Sequence, residues 1–64
     1  MNITKELYKE ALLVVSWVEK EKPVSMSTED WQRIIQRNKA HLTTILNVYS
    51  FEGYDKQILL DALN

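Results

Sequence analysis

Side chains that could carry acid–base or metal chemistry are few in this sequence and are not grouped. His41 is the only histidine and cysteine is absent, whereas a metal site or a catalytic dyad needs several such groups held together. The acidic side chains lack a paired spacing; those considered are Glu6, Glu10, Glu52, Asp55 and Asp61. We expect solvated carboxylates and a packed, hydrogen-bonded His41 imidazole. The sequence therefore predicts no catalytic, cofactor-binding or metal-binding residue, and a protein that is not an enzyme.

A cluster of basic and amide side chains is the second chemical feature. If residues 28–52 form a helix, its polar face carries Gln32, Arg33, Gln36, Arg37 and Lys39. Side chains of these types can contact bases and phosphates. However, a recognition helix is short and follows a tight turn, whereas this segment is long and follows a loop with a proline. A solvated face is the favoured interpretation, and a DNA-binding regulator is the alternative.

One long amphipathic segment positions these side chains. Ser27 stands three residues before Asp30, a spacing at which the serine oxygen accepts a hydrogen bond from the first helical turn and the carboxylate reaches back. Gly53 is the only glycine, and it can adopt the left-handed conformation that follows a helix terminus. The two signals predict a helix over residues 28–52.

The apolar side chains of this helix cover an arc of about 160°, which is wide enough to face a core. Steps of four and three residues, the period of a helix–helix seam, connect Trp31, Ile35, Asn38, Leu42, Ile45 and Tyr49. Asn38 is the polar member of this seam. An amide there can fix register and partner number when it meets its own copy or a backbone group, or it can simply be tolerated at a wet position.

The N-terminal half predicts a helix over residues 4–22 that is apolar around most of its circumference. Pro23 ends it, because a proline disfavours helical geometry in the residue before it. The apolar side chains cover about 260°, against a minimum of about 100° for a surface helix. Two other helices in so short a chain cannot cover both flanks. We therefore expect the flank with Leu13 and Trp17 to meet another chain.

The start of this helix and its secondary structure leave alternatives open. Residues 1–3 are expected to be a frayed lead-in, with Asn2 or Thr4 as the helix cap. The apolar run over residues 11–18 could instead form a β-strand, since valine and tryptophan favour strands. The helix-forming flanks and the lack of a second strand to pair with it favour the helix.

The remaining segments complete an all-α fold. Residues 23–26 form the predicted loop, and so short a connection makes the two long helices antiparallel neighbours. Asp55 is expected to cap a third helix over residues 56–63, and Tyr54 to pack back on Tyr49. The predicted architecture is an antiparallel helical hairpin with a short third C-terminal helix, dimerised into a helical bundle.

Length and composition predict one small domain. A chain of 64 residues buries only about 60% of the surface that its unfolded form exposes, so that its isolated fold is marginally stable. The net charge of −1 argues against a main role in neutralising phosphates. The uncharged run 11–18 is too short to span a bilayer, and acidic residues interrupt the N-terminus where a secretory signal would be apolar. We expect no membrane association and a cytoplasmic location.

The whole chain resembles a family of phage proteins. From NITKELYKEALLVVSWVEKEKP through the Trp31 helix to the final DALN, it is similar to the small accessory early proteins of lambdoid phages that are encoded between the exonuclease and excisionase genes. The resemblance implies an all-helical, dimeric factor made early in infection, which biases host physiology or the choice between lysis and lysogeny. It implies a location in the host cytoplasm and no particular site residues.

These features together predict a small regulatory protein that forms a homodimer and acts by binding another protein. The sequence does not identify that protein partner, and nucleic acid is the less favoured partner. The side chains predicted to form the dimer or partner interface are Leu13, Trp17, Trp31, Ile35, Asn38, Leu42 and Tyr49.

Overall fold

Three α-helices account for most of the chain. The computed structural model describes residues 1–64, and its helices are α1 (Lys5–Glu19), α2 (Thr28–Val48) and α3 (Lys56–Ala62). All three helices pack against one another. The all-α prediction is confirmed, and the strand alternative for residues 11–18 is wrong because these residues lie inside α1.

The helices α1 and α2 form the predicted antiparallel hairpin. Residues 20–27 join the C-terminus of α1 to the N-terminus of α2. At the opposite end of the hairpin, the N–H of Ile3, which precedes α1, donates to the carbonyl of Ser50, which follows α2, at 2.9 Å. The start of α1 therefore lies beside the end of α2, as an antiparallel pair requires.

The helix α1 begins at the second of its two predicted caps and ends before its predicted limit. Thr4 Oγ1 accepts a hydrogen bond from the Leu7 N–H at 3.1 Å, so Thr4, not Asn2, is the cap. The predicted end at residue 22 is wrong, since Lys20 already has an extended backbone with φ −73° and ψ 146°. Pro23 prevents the helix from running through the loop, because its ring would clash with the Glu19 carbonyl, but it does not account for the end at Glu19.

The loop between α1 and α2 is longer than the predicted residues 23–26, and one lysine closes it. The Lys22 ammonium donates to the carbonyls of Pro23 at 3.3 Å and Met26 at 2.8 Å. The Met26 N–H also donates to the Pro23 carbonyl at 3.1 Å. These bonds occupy carbonyl groups that no helix or strand pairs.

The helix α2 starts where its capping signal predicts. The Asp30 N–H donates to Ser27 Oγ at 3.1 Å. The Asp30 carboxylate pairs with Arg33 at 3.3 Å instead of reaching back to the cap. Half of the predicted capping box is therefore formed, and the other half is replaced by an ion pair within the first turns.

Residues 1–3 form an N-terminal strap against the segment that follows α2, so the prediction of a frayed lead-in is wrong. Asn2 and Ser50 form a short parallel bridge. The Asn2 side chain adds two bonds to Glu52: its Oδ1 accepts from the Glu52 N–H at 2.8 Å, and its Nδ2 donates to the Glu52 carbonyl at 3.1 Å. Asn2 Oδ1 also accepts from the Ser50 hydroxyl at 3.0 Å. The strap therefore ties the beginning of the hairpin to its far end.

The N-terminal strap also determines where α2 ends. The predicted end at residue 52 is wrong, because α2 ends at Val48 and Tyr49 has an extended backbone with φ −113° and ψ 150°. The backbone N–H and carbonyl of Ser50 both bond to the strap. A backbone group that is paired outside the helix does not need the helical hydrogen bond, and α2 stops before it.

The only glycine lies in a turn that follows α2, and it does not terminate α2 as predicted. Gly53 has φ 83°, and the Tyr54 N–H donates to the Phe51 carbonyl across it at 3.1 Å. Only glycine adopts this left-handed conformation without a steric cost. The turn directs Tyr54 onto Tyr8, with ring centroids 4.7 Å apart; the predicted packing of Tyr54 on Tyr49 stays a prediction.

The short helix α3 is capped as predicted. Asp55 Oδ1 accepts from the Gln57 N–H at 3.0 Å, and the Asp55 carbonyl accepts from the Tyr8 hydroxyl at 2.8 Å. The helix ends at Ala62, one residue before the predicted limit. The cap of α3 is thus bonded directly to α1, which fixes α3 at the end of the hairpin.

The core draws on the strap and on all three helices. Leu42 in α2 and Leu59 in α3 are its largest fully buried side chains. The buried apolar residues of the cluster are Ile3, Ala11, Val15, Leu42, Ile45, Leu59 and Ala62. With so few buried residues, each one carries a large share of the stability.

Candidate protein-interaction surface

An exposed pair of apolar side chains on α1 is the centre of the candidate surface. Leu13 is 65% exposed and Trp17 is 46% exposed. Residues four apart lie one above the other on the same side of a helix. The flank that the sequence predicts to be uncovered is therefore exposed in the folded chain.

The other side of α1 is covered by α2 and α3. Ala11 and Val15 are the buried residues of α1, and both other helices pack on α1. At 100° per residue, Leu13 lies about 160° around the helix from Val15. An apolar arc this wide extends beyond the reach of two neighbours, which is why Leu13 and Trp17 stay exposed.

Charged side chains of opposite sign lie at the two ends of this apolar pair. Glu10 is exposed and lies one turn before Leu13. Lys20 follows Trp17, and its Nζ lies 4.7 Å from the centroid of the Trp17 ring, where the face of the indole attracts a cation. We call Glu10, Leu13, Trp17 and Lys20 the α1 stripe. It has an acidic end, an apolar centre and a basic end.

Part of the seam predicted on α2 lies against the chain's own core, since Leu42 and Ile45 belong to the buried cluster. Leu42 is fully buried and Trp31 is buried to 9% exposure, so assigning Leu42 and Trp31 to an interface is wrong for this fold. Both side chains are buried by packing within the chain. Ile35, Asn38 and Tyr49 are half-buried and present only part of their surface. Of the seven predicted interface residues, Leu13 and Trp17 are the exposed ones.

Asn38 satisfies its amide within its own helix. Its Nδ2 donates to the Ile34 carbonyl at 2.8 Å, and the side chain is partly buried. A backbone group is one of the two partners that the sequence predicts for this amide. The same carbonyl lies four residues earlier and is already the acceptor for the helical ladder. Removing the amide would therefore leave no backbone group unpaired.

We expect Asn38→Leu to stabilise the fold. Leucine has a higher helix propensity than asparagine and would bury additional apolar surface, while the lost hydrogen bond is local. The free energy of unfolding should rise by about 0.5–1 kcal/mol, measured by urea denaturation. A loss of several kcal/mol would show instead that the amide is integral to the core.

The face of α2 considered for nucleic acid is partly neutralised. Gln32, Gln36 and Arg37 are exposed and Lys39 is half-buried. Arg33 is held by Asp30 at 3.3 Å. Of the three cationic side chains on this face, Arg33 is therefore paired with a carboxylate, whereas Arg37 and Lys39 are not.

The residues considered for chemistry remain apart. His41 is exposed, so the prediction of a packed imidazole is wrong: it lies at the edge of the α2 apolar arc, and the buried face is narrower than that arc. No three histidine, aspartate or glutamate side chains come together as metal ligands would. The surface contains no cavity.

Exposed apolar side chains outside α1 were not singled out from the sequence. Val48 is 59% exposed, and Ile58 and Leu60 on α3 are also exposed. The exposure of Val48 could have been inferred from its position on the helical wheel, because Val48, like His41, lies at the edge of the predicted apolar arc of α2. An edge residue on a helical wheel is buried only if a neighbouring element reaches around to it.

None of the three helices combines the length and apolar character needed to cross a bilayer. In comparisons with known proteins, no family model, curated protein or solved structure matches the chain.

Proposed function

We propose that this chain is a non-enzymatic regulatory protein that forms a homodimer through the α1 stripe and acts by binding another protein. The observation that supports this proposal is the joint exposure of Leu13 and Trp17 on one side of α1. Covering apolar surface gains about 25 cal/mol per Å². When a small domain exposes a tryptophan and a leucine together, covering both side chains lowers its free energy.

The size of the α1 stripe sets the strength of the proposed pairing. The helix has 15 residues, and the stripe holds two apolar side chains per copy. A contact of this size belongs with small interfaces, below about 1,200 Å² in total, which are typical of reversible association. We therefore expect a dissociation constant of roughly micromolar order.

The proposed second partner is a protein of the infected cell. The resemblance to early proteins of lambdoid phages is the basis of this part of the proposal, with an influence on host physiology or on the lysis–lysogeny choice as its consequence. Val48, Ile58 and Leu60 supply exposed apolar surface outside the α1 stripe. We expect the other protein to bind at these three side chains while a second copy covers the α1 stripe.

A DNA-binding regulator is the alternative function. It would use the exposed Gln32, Gln36 and Arg37, together with Arg33 and Lys39. The ion pair between Arg33 and Asp30 and the net charge of −1 weigh against it. A gel-shift titration separates the two functions, because phosphate contacts weaken steeply with salt; absence of binding at low salt would exclude the alternative.

Trp17→Glu tests the homodimer. A carboxylate placed at the centre of an apolar contact must be desolvated without a partner. We expect sedimentation equilibrium to show a dimer for the wild type at high micromolar concentration and a monomer of 7.6 kDa for Trp17→Glu, with dimerisation weakened by about 100-fold or more.

Val48→Glu is the matched control. Val48, like Trp17, is an exposed apolar residue near the C-terminus of its helix, so a glutamate there meets the same unfavourable helix dipole. It should remain dimeric. Circular dichroism must show the same helicity in both variants. A Trp17→Glu protein that is folded and dimerises as tightly as the wild type would contradict the proposal.

A further inference from the structure

We infer that the α1 stripe is covered by the α1 stripe of a second copy of this chain, in an antiparallel register that places Leu13 against Trp17 and Glu10 against Lys20. The inference rests on the homodimer proposed above and specifies its geometry. Three features of the α1 stripe support it: the spacing of its residues, the order of its charges, and the register that pairs them.

The spacing of the α1 stripe is that of a helix–helix seam. Glu10, Leu13, Trp17 and Lys20 follow one another in steps of three, four and three residues. This alternation keeps side chains on one line along two helices that cross at a small angle. All four side chains are exposed. Lys20 is the C-cap residue just beyond α1, and its ammonium stays beside the line of the helix residues, 4.7 Å from the centroid of the Trp17 ring. The whole line is therefore free to meet a partner helix.

The order of the charges selects the antiparallel direction. In the antiparallel register, Leu13 of each copy faces Trp17 of the other, and Glu10 of each copy faces Lys20 of the other. Two copies then form two apolar contacts and two ion pairs, related by one two-fold axis. A parallel pair would place Glu10 beside Glu10 and Lys20 beside Lys20, and like charges at such a contact are unfavourable.

The register is selected by the same residues. Sliding one copy by seven residues brings Glu10 of one copy opposite Leu13 of the other. The carboxylate would then be covered by an apolar side chain, and the burial of an unpaired charge is costly. Only the register with Leu13 against Trp17 keeps the apolar side chains together and pairs every charge of the α1 stripe.

Charge reversal at the ends of the α1 stripe tests this register without touching its apolar centre. In Glu10→Lys, the antiparallel homodimer has two like-charge pairs; Lys20→Glu has the same defect with opposite sign. An equimolar mixture of the two variants restores both opposite-charge pairs in the heterodimer. We expect each variant alone to dimerise at least about tenfold more weakly than the wild type at low salt, and the mixture to recover wild-type affinity.

The measurements use the full chain. Sedimentation equilibrium over a wide concentration range gives the affinities, and native mass spectrometry with one variant ¹⁵N-labelled identifies heterodimers. Glu19→Lys is the matched control, since it makes the same charge change on the same helix about 160° around from Trp17. It should dimerise like the wild type. Glu10→Gln, which removes the charge without reversing it, should fall between the wild type and Glu10→Lys.

The outcomes separate this inference from the proposal on which it rests. A wild type that stays monomeric at every concentration overturns the homodimer and the register together. If the wild type is dimeric and Glu10→Lys leaves the dimer affinity unchanged, the register alone is overturned. A parallel dimer would give this result, because the substitution only replaces the contact between two glutamates by a contact between two lysines. Weakening in each variant without recovery in the mixture also overturns the register.

Discussion

Leu42→Ala is expected to remove most of the stability of the fold. Leu42 in α2 is fully buried in the core, and truncating such a leucine costs about 2–5 kcal/mol through lost burial and the cavity that remains. A domain of 64 residues has a total stability of about 3–10 kcal/mol. The variant should therefore be largely unfolded at 37 °C or lose well over 10 °C in Tm, as measured by circular dichroism.

Leu13→Ala is the matched control for this prediction. It makes the same change in a helix, but at a side chain that is 65% exposed, and its effect on the monomer should stay within about 0.5 kcal/mol. Both substitutions should be measured in the Trp17→Glu background, so that association does not add to the apparent stability. Equal losses at the two positions would contradict the burial described for α2.

Ile3→Ala is the second substitution expected to have a large effect. Ile3 is only 3% exposed, and its N–H donates to the Ser50 carbonyl at 2.9 Å. We expect a loss of about 2–4 kcal/mol, measured by urea denaturation. Hydrogen exchange should accelerate at the Ser50 amide, because the N-terminal strap pairs with that residue through backbone bonds that only stay closed while Ile3 is packed.

Val24→Ala is the control for the strap. Val24 is also an apolar, β-branched residue outside the helices, but it is fully exposed, and its truncation should change the stability by less than about 0.5 kcal/mol. If Ile3→Ala were as mild as Val24→Ala, residues 1–3 would be frayed in solution after all, and the end of α2 would no longer depend on them.

These predictions concern the two places where sequence and structure differ most. On α2, the seam through Trp31 and Leu42 has the period that two helices use to pack, and that period is the same whether the second helix belongs to the same chain or to another. The chain's own α1 and α3 occupy the seam. The periodicity therefore located the buried face correctly but could not identify which chain covers it.

At the end of α2, local signals were outweighed by a long-range pairing. Gly53 and the favourable helical pattern up to residue 52 predict a longer helix. However, Ser50 bonds to Met1, Asn2 and Ile3 at the other end of the chain, and its hydroxyl partner Asn2 is 48 residues away. Local patterns carry no information about such a partner. The same pairing holds Ile3 in the core, where it is only 3% exposed.

Sequence patterns suffice to predict the all-α class, the number and approximate positions of the helices, the Ser27 and Asp55 caps, and the uncovered flank of α1. These follow from short-range physics: side-chain periodicity, capping hydrogen bonds, and an apolar arc too wide for two neighbours to cover. Only the folded chain reveals where α1 and α2 end and which side chains of α2 are buried in the core. Those depend on contacts between distant residues, whose free energy outweighs local propensity.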